Sequence, residues 1–254
     1  MPMTEEQLYK KYAQYYDRIY EKMDLKKEVN FIKWAFERHN KSGENKLLDV
    51  ACGTGRHAAK LADNFKIRGV DINQDMLEIA REKLPDVEFI YGDMKNLSLN
   101  QKFDIVICMF SAMNYNISLE ELNDTLNNFY EHLNVGGVLI FDYGINQENW
   151  IEGLVSVDTV LDDNLKLARI CQSHLEDGIF NADFVFLIKE NGKLDFDIDQ
   201  HQLGVFGIED VLNSMAGAGF DTFIYSDFTS EKWEVLSGER PVLVGVKIKP
   251  RSVK

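Results

Sequence analysis

The sharpest chemical signal in the sequence is a short apolar run that ends in a glycine-rich turn. The run Leu47-Leu48-Asp49-Val50-Ala51 leads through Cys52 into Gly53-Thr54-Gly55. Glycines suit this place because a ligand must approach the backbone more closely than a Cβ allows, and because the turn needs unusual dihedral angles. A helix starting here would offer free N–H groups to an anion, either the carboxylate of an amino-acid moiety or a pyrophosphate. The segment predicts a ligand-binding turn between a strand and a helix.

Two aspartates end the next two apolar segments. Asp71 lies 18 positions after Gly53, where a carboxylate can accept hydrogen bonds from both hydroxyls of a ribose. It could instead cap the following helix, and the two roles are compatible. In Gly92-Asp93-Met94, the aspartate can accept a hydrogen bond from an exocyclic amine, and the methionine can pack against a flat ring. Together with the glycine turn, these residues predict an adenine-nucleoside pocket.

The same turn leaves a second ligand class open. Gly53-x-Gly55-x-x-Ala58 matches a loose fingerprint for nicotinamide dinucleotides, so a dehydrogenase is an alternative. Asp49 disfavours it, because a negative charge inside the strand gains nothing from a pyrophosphate. The same carboxylate would suit the amino or sulfonium side of a cationic ligand.

The elements that must position these residues alternate between strands and helices. This alternation indicates an α/β fold with a parallel sheet and helices on both faces. We predict strands over 46–51, 67–71, 87–91, 103–109 and 135–142, with helices over 57–65, 73–84 and 118–133. Two helices over 4–39 precede them, and a helix over 208–217 is followed by strands over 220–228 and 241–248 that suit an antiparallel edge hairpin.

Residues between about 153 and 206 follow a different pattern, in which turn signals separate segments rich in β-forming residues. In Leu194-Asp195-Phe196-Asp197-Ile198-Asp199 the period is two, with apolar residues on one side and aspartates on the other. This pattern is typical of an antiparallel meander with one wet face. We expect a helical cap over 1–45, a cofactor-binding domain over 46–150 and 207–250, and an inserted β lobe over 151–206 that contacts substrate or a second subunit.

Composition narrows the classes of partner. The 254 residues include 42 acidic and 28 basic ones, a formal charge of −14 that disfavours binding to nucleic acid. No apolar run reaches 18 residues, so we expect no membrane span. The three cysteines are far apart and the acids are dispersed, so neither a disulfide framework nor a metal site is expected. The first residues lack the order of a secretory signal, which favours the cytoplasm.

At this point the motifs resemble a known family. Asp49 to Gly55, Asp71, Gly92-Asp93-Met94 and Gly136-Gly137-Val138 look like the successive motifs of class I S-adenosylmethionine-dependent methyltransferases, over about residues 46–142. Two further segments, Tyr12 to Tyr20 and Met109 to Tyr115, resemble the N,N-dimethyltransferases that act on nucleotide-linked amino sugars. The inserted meander and Ser237-Gly238-Glu239-Arg240 fall in corresponding places, whereas 142–146 and 200–204 depart from that pattern.

The resemblance implies a Rossmann-like, seven-stranded methyltransferase sheet, S-adenosylmethionine as cofactor, and methyl transfer to a small-molecule amine such as that of a nucleotide-linked amino sugar. It implies cofactor contacts from Tyr16, Asp49, Ala51, Gly53, Gly55, Asp71, Ile72, Met76, Asp93, Met94 and Met109. It places Tyr20, Tyr115 and Arg240 on the acceptor side, with Arg240 suited to a phosphate.

Tyr115 is the main catalytic candidate, because ligands lie at the C-terminal ends of parallel strands. His174, His201 and Asp142 are weaker candidates for orienting the acceptor or taking its proton. Tyr12 and Tyr15 could equally be ordinary core residues on a helix.

Three alternatives stay open from the sequence: an NAD-dependent oxidoreductase, an O-methyltransferase acting on a small metabolite, and a non-catalytic cofactor-binding protein. The sequence also leaves the oligomeric state open, with a homodimer as one alternative.

Overall fold

A computed structural model describes residues 7–176, 178–235 and 237–249 of the chain. Residues 4–6 of the first predicted helix and residue 250 of the predicted cofactor-binding domain lie outside these ranges. The described strands are β1 (Lys46–Val50), β2 (Lys66–Asp71), β3 (Glu88–Tyr91), β4 (Phe103–Cys108), β5 (Leu133–Asp142), β6 (Val155–Leu161), β7 (Leu165–Glu176), β8 (Ile179–Glu190), β9 (Lys193–Gly204), β10 (Phe220–Ser226) and β11 (Pro241–Lys247).

The helices lie where the apolar periodicity places them, with shorter ends. They are α1 (Ala13–Ile19), α2 (Leu25–His39), α3 (Arg56–Leu61), α4 (Gln74–Lys83), α5 (Leu119–His132) and α6 (Ile208–Ala218), with 3-10 turns at Gln7–Tyr9 and Ala112–Tyr115. Ser118 caps α5 by accepting a hydrogen bond from the Glu121 N–H at 3.2 Å. Among the described residues, no helix is long and apolar enough to cross a bilayer.

The main sheet has seven strands in the order β10-β11-β5-β4-β1-β2-β3. Strands β1 to β5 run parallel, and β11 lies antiparallel between β5 and β10. The predicted Rossmann-like sheet with an antiparallel edge hairpin is therefore confirmed. Every residue of β4 is buried, which fits a central strand covered by helices on both faces. The carboxyl ends of β1 to β4 consequently meet at one edge of the sheet.

Several element ends differ from the predicted ones for local reasons. Strand β4 stops at Cys108 because Phe110 and Ser111 adopt left-handed dihedral angles, with φ of 63° and 57°. Strand β10 stops at Ser226 because Asp227 and Phe228, with φ of 40° and 59°, turn the chain. Such dihedral angles are uncommon for residues with a Cβ, and the sequence contains no glycine there to signal the turns.

A second sheet, in the order β6-β7-β8-β9, is inserted between β5 and α6. Its inner face packs on the N-terminal segment, where Tyr12 lies against Phe186 with ring centroids 4.9 Å apart. Tyr12 and Tyr15 are both buried in this cluster, so their core-packing alternative is supported.

In β9 the side that carries the aspartates faces the N-terminal segment. Asp197 accepts a hydrogen bond from the Tyr12 hydroxyl at 3.0 Å, and Asp199 accepts one from the Leu8 N–H at 2.8 Å. The apolar side instead faces outward, with Phe196 57% and Leu194 75% exposed. The burial of this side increases along the strand, from exposed Asp195 through half-buried Asp197 to fully buried Asp199. The N-terminal segment supplies the hydrogen-bond donors that make this burial tolerable, so the exposed face carries the apolar residues.

Gly69 provides a test of how tightly β2 packs. A Cβ at this position would overlap the ring of Phe89 and lie 3.0 Å from the Cys52 sulfur. We expect Gly69→Ala to lower the free energy of unfolding by about 1–3 kcal/mol, since overpacking forces neighbours to shift. The matched control is Gly217→Ala in α6, where a Cβ meets open space; it should raise the same quantity by about 0.5–1 kcal/mol. Urea titration measures both, and a neutral Gly69→Ala would contradict the packing.

Candidate active site

The turn after β1 is built from left-handed residues. Ala51, Gly53 and Gly55 have φ of 55°, 53° and 72°. A Cβ on Gly53 would meet nothing within 4 Å, so this glycine borders open space, whereas one on Gly55 would lie 3.3 Å from the Phe89 ring. Gly53 thus leaves room for a ligand, and Gly55 leaves room for the packing behind the turn.

A cavity of about 260 Å³ lies over this turn at the carboxyl ends of β1 to β4. It brings together most of the residues predicted to contact the cofactor: Tyr16, Ala51, Gly53, Asp71, Ile72, Met76, Asp93, Met94 and Met109. Tyr115 also lines it. Asp49 and Gly55 are not among the lining residues. The cavity is also lined by Tyr9, Lys95 and Phe110, which were not predicted to contact the cofactor.

Asp71 joins the two turns that bound this cavity. One carboxylate oxygen accepts a hydrogen bond from the Gly53 N–H at 2.7 Å, and the other accepts one from the Asn73 N–H at 2.8 Å. Burial raises the pKa of Asp71, and these backbone donors oppose the rise. Each carboxylate oxygen can accept a second hydrogen bond. The carboxylate can therefore hold the loop and still accept from a ligand hydroxyl.

The opposite wall of the cavity is suited to a flat ring. Asp93 is half-buried, and one of its oxygens accepts a hydrogen bond from the Lys95 N–H at 2.9 Å. Its other oxygen remains available to a ligand amine. Met76 is buried in the floor, and Ile72, 52% exposed, forms the rim.

Asp49 is a buried carboxylate with an orphaned oxygen. Asp49 is only 2% exposed, and its Oδ2 accepts no hydrogen bond from any of the described residues. Burial raises its pKa to about 7. An unpaired buried carboxylate is costly unless a cation approaches it. The site therefore fits a ligand that carries a sulfonium or ammonium group.

Aromatic side chains from two segments cover the cavity. Tyr16 lies edge-on to Tyr20 at 4.8 Å, and Tyr20 lies edge-on to Phe110 at the same distance. Burial raises the pKa of Tyr16 well above its usual value, so its hydroxyl stays protonated and able to donate a hydrogen bond. Tyr20 does not line the cavity; its hydroxyl accepts a hydrogen bond from Arg169 of β7 at 2.5 Å.

The loop after β4 is anchored from below by Asp142. This fully buried carboxylate accepts hydrogen bonds from both the N–H and the hydroxyl of Ser111 at 3.0 Å. The same oxygen lies 3.3 Å from Arg240 Nη1. Asp142 thus stabilises the loop that carries Phe110. The Arg240 side chain points toward Asp142 and does not line the cavity.

Tyr115 stands between this first cavity and a second one of about 350 Å³. Its hydroxyl lies 2.6 Å from the Tyr9 hydroxyl and 2.6 Å from His201 Nδ1. His201 Nε2 lies 3.0 Å from Asp199 Oδ2, and both residues are buried. His174 borders the second cavity as well, with its side chain 48% exposed and 3.9 Å from Asp183. No cluster of three or more His, Cys, Asp or Glu residues with metal-binding geometry occurs in the described ranges.

Comparisons with known proteins agree with this geometry. Residues 47–137 match the methyltransferase domain family. A dTDP-3-amino-3,6-dideoxy-α-D-glucopyranose N,N-dimethyltransferase of Streptomyces fradiae is 30% identical over 211 residues, 82% of this chain and 82% of that one. A dTDP-3-amino-3,4,6-trideoxy-α-D-glucopyranose N,N-dimethyltransferase of Streptomyces venezuelae is 37% identical over 148 residues, which are 58% of this chain and 62%, less than two thirds, of that relative. The structure of SAM-bound CalS10, an amino pentose methyltransferase from Micromonospora echinaspora, is 26% identical with a TM-score of 0.78, covering 93% of this chain and 96% of that one.

The chain belongs to the class I S-adenosylmethionine-dependent methyltransferases. Its fold, its enzyme class and its cofactor are therefore those that the motifs predict. The oxidoreductase alternative is not favoured, because the matched family and the similar proteins named above are methyltransferases. The orphaned oxygen of Asp49 also suits a cationic ligand better than a pyrophosphate.

The raised pKa of Asp49 predicts a pH-dependent stability. Between pH 3.8, its ordinary pKa, and about 7 the folded protein retains a proton that the unfolded chain releases, so the carboxyl group lowers stability as pH rises through this window. Relative to wild type, Asp49→Asn should therefore gain on the order of 1–4 kcal/mol of unfolding free energy between pH 4.5 and 8. Urea titration at both pH values measures the change. The exposed Asp86→Asn is the control, and a constant difference for Asp49→Asn would refute the burial argument.

Proposed function

We propose that this enzyme transfers a methyl group from S-adenosylmethionine to the amine of a nucleotide-linked amino sugar. The observation that carries the proposal is a pair of adjoining cavities with Tyr115 at their boundary. The first contains the predicted nucleoside contacts, and the second leaves room for an acceptor beside the same tyrosine. The amino-sugar class is supported by the names of the two Streptomyces relatives and of CalS10.

In this proposal the first cavity holds the methyl donor. Tyr16 and the Ala51 and Gly53 backbones surround the methionine part, with Asp49 behind them for the cationic groups. Asp71 accepts from the ribose hydroxyls, and Asp93 accepts from the adenine amine. Ile72, Met76, Met94 and Met109 enclose the rings, and Gly55 acts indirectly by shaping the turn.

The cofactor supplies an already activated methyl group on sulfur. The chain therefore has to hold the acceptor nitrogen in line with the sulfur–methyl bond and keep water away. A neutral amine needs no activating base for this step, so an amine is favoured over a hydroxyl acceptor. Tyr115 is the residue best placed to orient the nitrogen.

Two of the residues predicted on the acceptor side, Arg240 and Tyr20, line neither cavity and act less directly than Tyr115. The Arg240 side chain is 33% exposed while one of its nitrogens faces Asp142. Its remaining N–H groups are available to a phosphate of the acceptor, because a guanidinium has five donors. Tyr20 supports the aromatic cover through its contact with Phe110.

We propose the domain division predicted from the sequence: a cap over 1–45, a cofactor-binding domain over 46–150 and 207–250, and the inserted lobe over 151–206. We also propose a small-molecule acceptor without nucleic acid as a partner, and a cytoplasmic setting. The formal charge of −14 supports the first, and the unpaired thiols of Cys52, Cys108 and Cys171 support the second.

Asp71→Ala tests the cofactor site. Loss of hydrogen bonds to a charged acceptor should weaken binding of S-adenosylhomocysteine about 10- to 100-fold. Isothermal titration calorimetry measures this, with the exposed Asp86→Ala as the matched control. In the same preparation, wild type should add labelled methyl groups to dTDP-3-amino-3,6-dideoxyglucose, or to an acceptor found by screening a metabolite extract. Unchanged affinity in Asp71→Ala would refute the ribose assignment, and absence of transfer to any amine would refute the proposed function.

We further propose that the enzyme is a homodimer joined through the outer face of the inserted sheet. Two cross-strand rows on this face are mostly apolar, one running Val157-Ile170-Val185-Ile198 and the other Thr159-Ala168-Leu187-Phe196. Four strands at about 4.8 Å spacing and up to about 40 Å long give a face of about 700 Å². This is close to the roughly 800 Å² per partner of a standard interface.

Charges on this face favour a second copy of the chain as the occupant. Lys166 and Lys189 lie at the middle of the row on one side of the apolar rows, between Leu161 and Leu194. Asp183 lies in the row on the other side. A two-fold axis running across the strands would exchange these two sides. Lys189 would then face the partner subunit's Asp183 at both ends of the interface.

Phe196→Lys tests this assembly. Phe196 ends one of the apolar rows, on the edge strand β9. A charge there should convert the dimer to a monomer, because the apolar side chains of a second copy cannot compensate for its desolvation. Size-exclusion chromatography with light scattering gives the mass, and circular dichroism checks the fold. Ile248→Lys, at a residue 54% exposed outside this face, is the control. A monomeric wild type, or a dimeric Phe196→Lys, would contradict the proposal.

A further inference from the structure

The inserted sheet places a buried histidine–aspartate pair behind Tyr115. His201 is 3% exposed and Asp199 is fully buried. The three side chains form a continuous line, with 2.6 Å from the Tyr115 hydroxyl to His201 Nδ1 and 3.0 Å from His201 Nε2 to Asp199 Oδ2. A lone histidine in a meander is usually a packing residue, but this one connects a cavity-lining hydroxyl to a carboxylate.

The hydrogen-bond directions along this line follow from the carboxylate end. Asp199 Oδ2 already accepts from the Leu8 N–H at 2.8 Å, and an ionised carboxylate only accepts, so His201 Nε2 carries the proton. Neutral His201 therefore has its lone pair on Nδ1 and accepts the proton of the Tyr115 hydroxyl. Because the Tyr115 proton points to His201, the Tyr9 hydroxyl donates to the Tyr115 oxygen across their 2.6 Å contact. A hydroxyl oxygen accepts two hydrogen bonds, so the Tyr115 oxygen can also accept one from an amine N–H in the cavities.

We propose that Asp199 and His201 are positioning residues that let Tyr115 take the proton released when the acceptor amine is methylated, an inference that rests on the proposed function. In the transfer, the nitrogen lone pair forms a bond to the methyl carbon as the carbon–sulfur bond breaks. The product is an ammonium whose N–H points to Tyr115. That proton passes to the Tyr115 oxygen while the phenol proton passes to His201 Nδ1, and Asp199 stabilises the imidazolium.

This arrangement matters most when one nitrogen receives two methyl groups. After the first transfer the nitrogen is an ammonium without a lone pair, so it cannot attack a second methyl group until a proton has left. The line from Tyr115 to Asp199 provides an internal acceptor while the product stays bound. The second cavity, which His201 and Tyr115 both border, gives the proton a route to solvent.

Other polar and charged groups near the His201 imidazole have partners of their own. On the N-terminal side the imidazole faces the Tyr9 ring at a centroid distance of 5.2 Å. Across the second cavity, Lys95 lies 3.3 Å from Glu121, and His174 lies 3.9 Å from Asp183. Asp199 is thus the closest charged partner of His201.

His201→Asn separates proton transfer from simple hydrogen bonding. An asparagine oxygen can still accept from Tyr115 near the former Nδ1 position, but it cannot hold a proton. We expect KM values for both substrates to stay within about threefold, and kcat for the second methyl transfer to fall about 10-fold or more. Monomethylated product should accumulate.

The experiment uses S-adenosylmethionine with dTDP-3-amino-3,6-dideoxyglucose, or the amine acceptor found by the labelling screen, and mass spectrometry of the mono- and dimethylated products. His39→Asn is the matched control and should behave as wild type, because this buried histidine contacts Tyr225 and lines neither cavity. If His201→Asn is misfolded by circular dichroism, Tyr115→Phe and Asp199→Asn take its place: the first should match its effect, and the second should give a smaller loss of kcat for the second methyl transfer. Wild-type rates and product ratios in folded variants would overturn the inference. A wild type that binds no S-adenosylhomocysteine and methylates no amine would instead overturn the proposed function.

Discussion

The hydrogen bond between the Gly53 N–H and the Asp71 carboxylate joins the two turns that bound the first cavity. Parallel strands deliver their carboxyl ends to one edge, but they leave the loops beyond those ends free to diverge. At 2.7 Å, this bond fixes the glycine turn of β1 against the end of β2. Asn73 supplies a second donor, so a buried carboxylate that would otherwise be costly is held in one orientation at the cavity wall. The remaining walls are arranged around this fixed corner.

Much of this corner could be predicted from the sequence, because its signals are local. Glycines before a helix, and aspartates directly after apolar strands, carry their own structural context within a few residues. The alternation of strands and helices then places those residues on one edge. Eight of the nine predicted cofactor contacts that line the cavity lie at or after the carboxyl ends of β1 to β4 for this reason, whereas Tyr16 lies in α1 and was predicted from the family resemblance. Gly55 and Asp49 belong to the same corner, but they lie beneath its surface, and strand position alone does not distinguish depth.

Other features depend on contacts between residues far apart in the chain. A period of two shows that β9 has two unlike sides, but it does not show which one is covered. The donors that bury Asp197 and Asp199 come from Tyr12 and Leu8, which are 185 and 191 positions away. His201 likewise reaches Tyr115 across 86 positions, so nothing near it in the sequence distinguishes it from a surface histidine. Arg240 meets Asp142 across 98 positions, which explains why its orientation was not predictable.

Strand β9 has one further consequence, because its alternate side chains serve two different surfaces. Asp197, Asp199 and His201 point toward the N-terminal segment and Tyr115, while Leu194, Phe196 and Ile198 point outward. The side chains on the two faces share one backbone, so a shift of the strand that moves one set also moves the other. Association of two copies would therefore be mechanically linked to the geometry around the methyl acceptor. The proposed dimer contact and the proposed proton path therefore depend on the same strand. A residue inserted in or deleted from this strand would exchange its two faces and disrupt both.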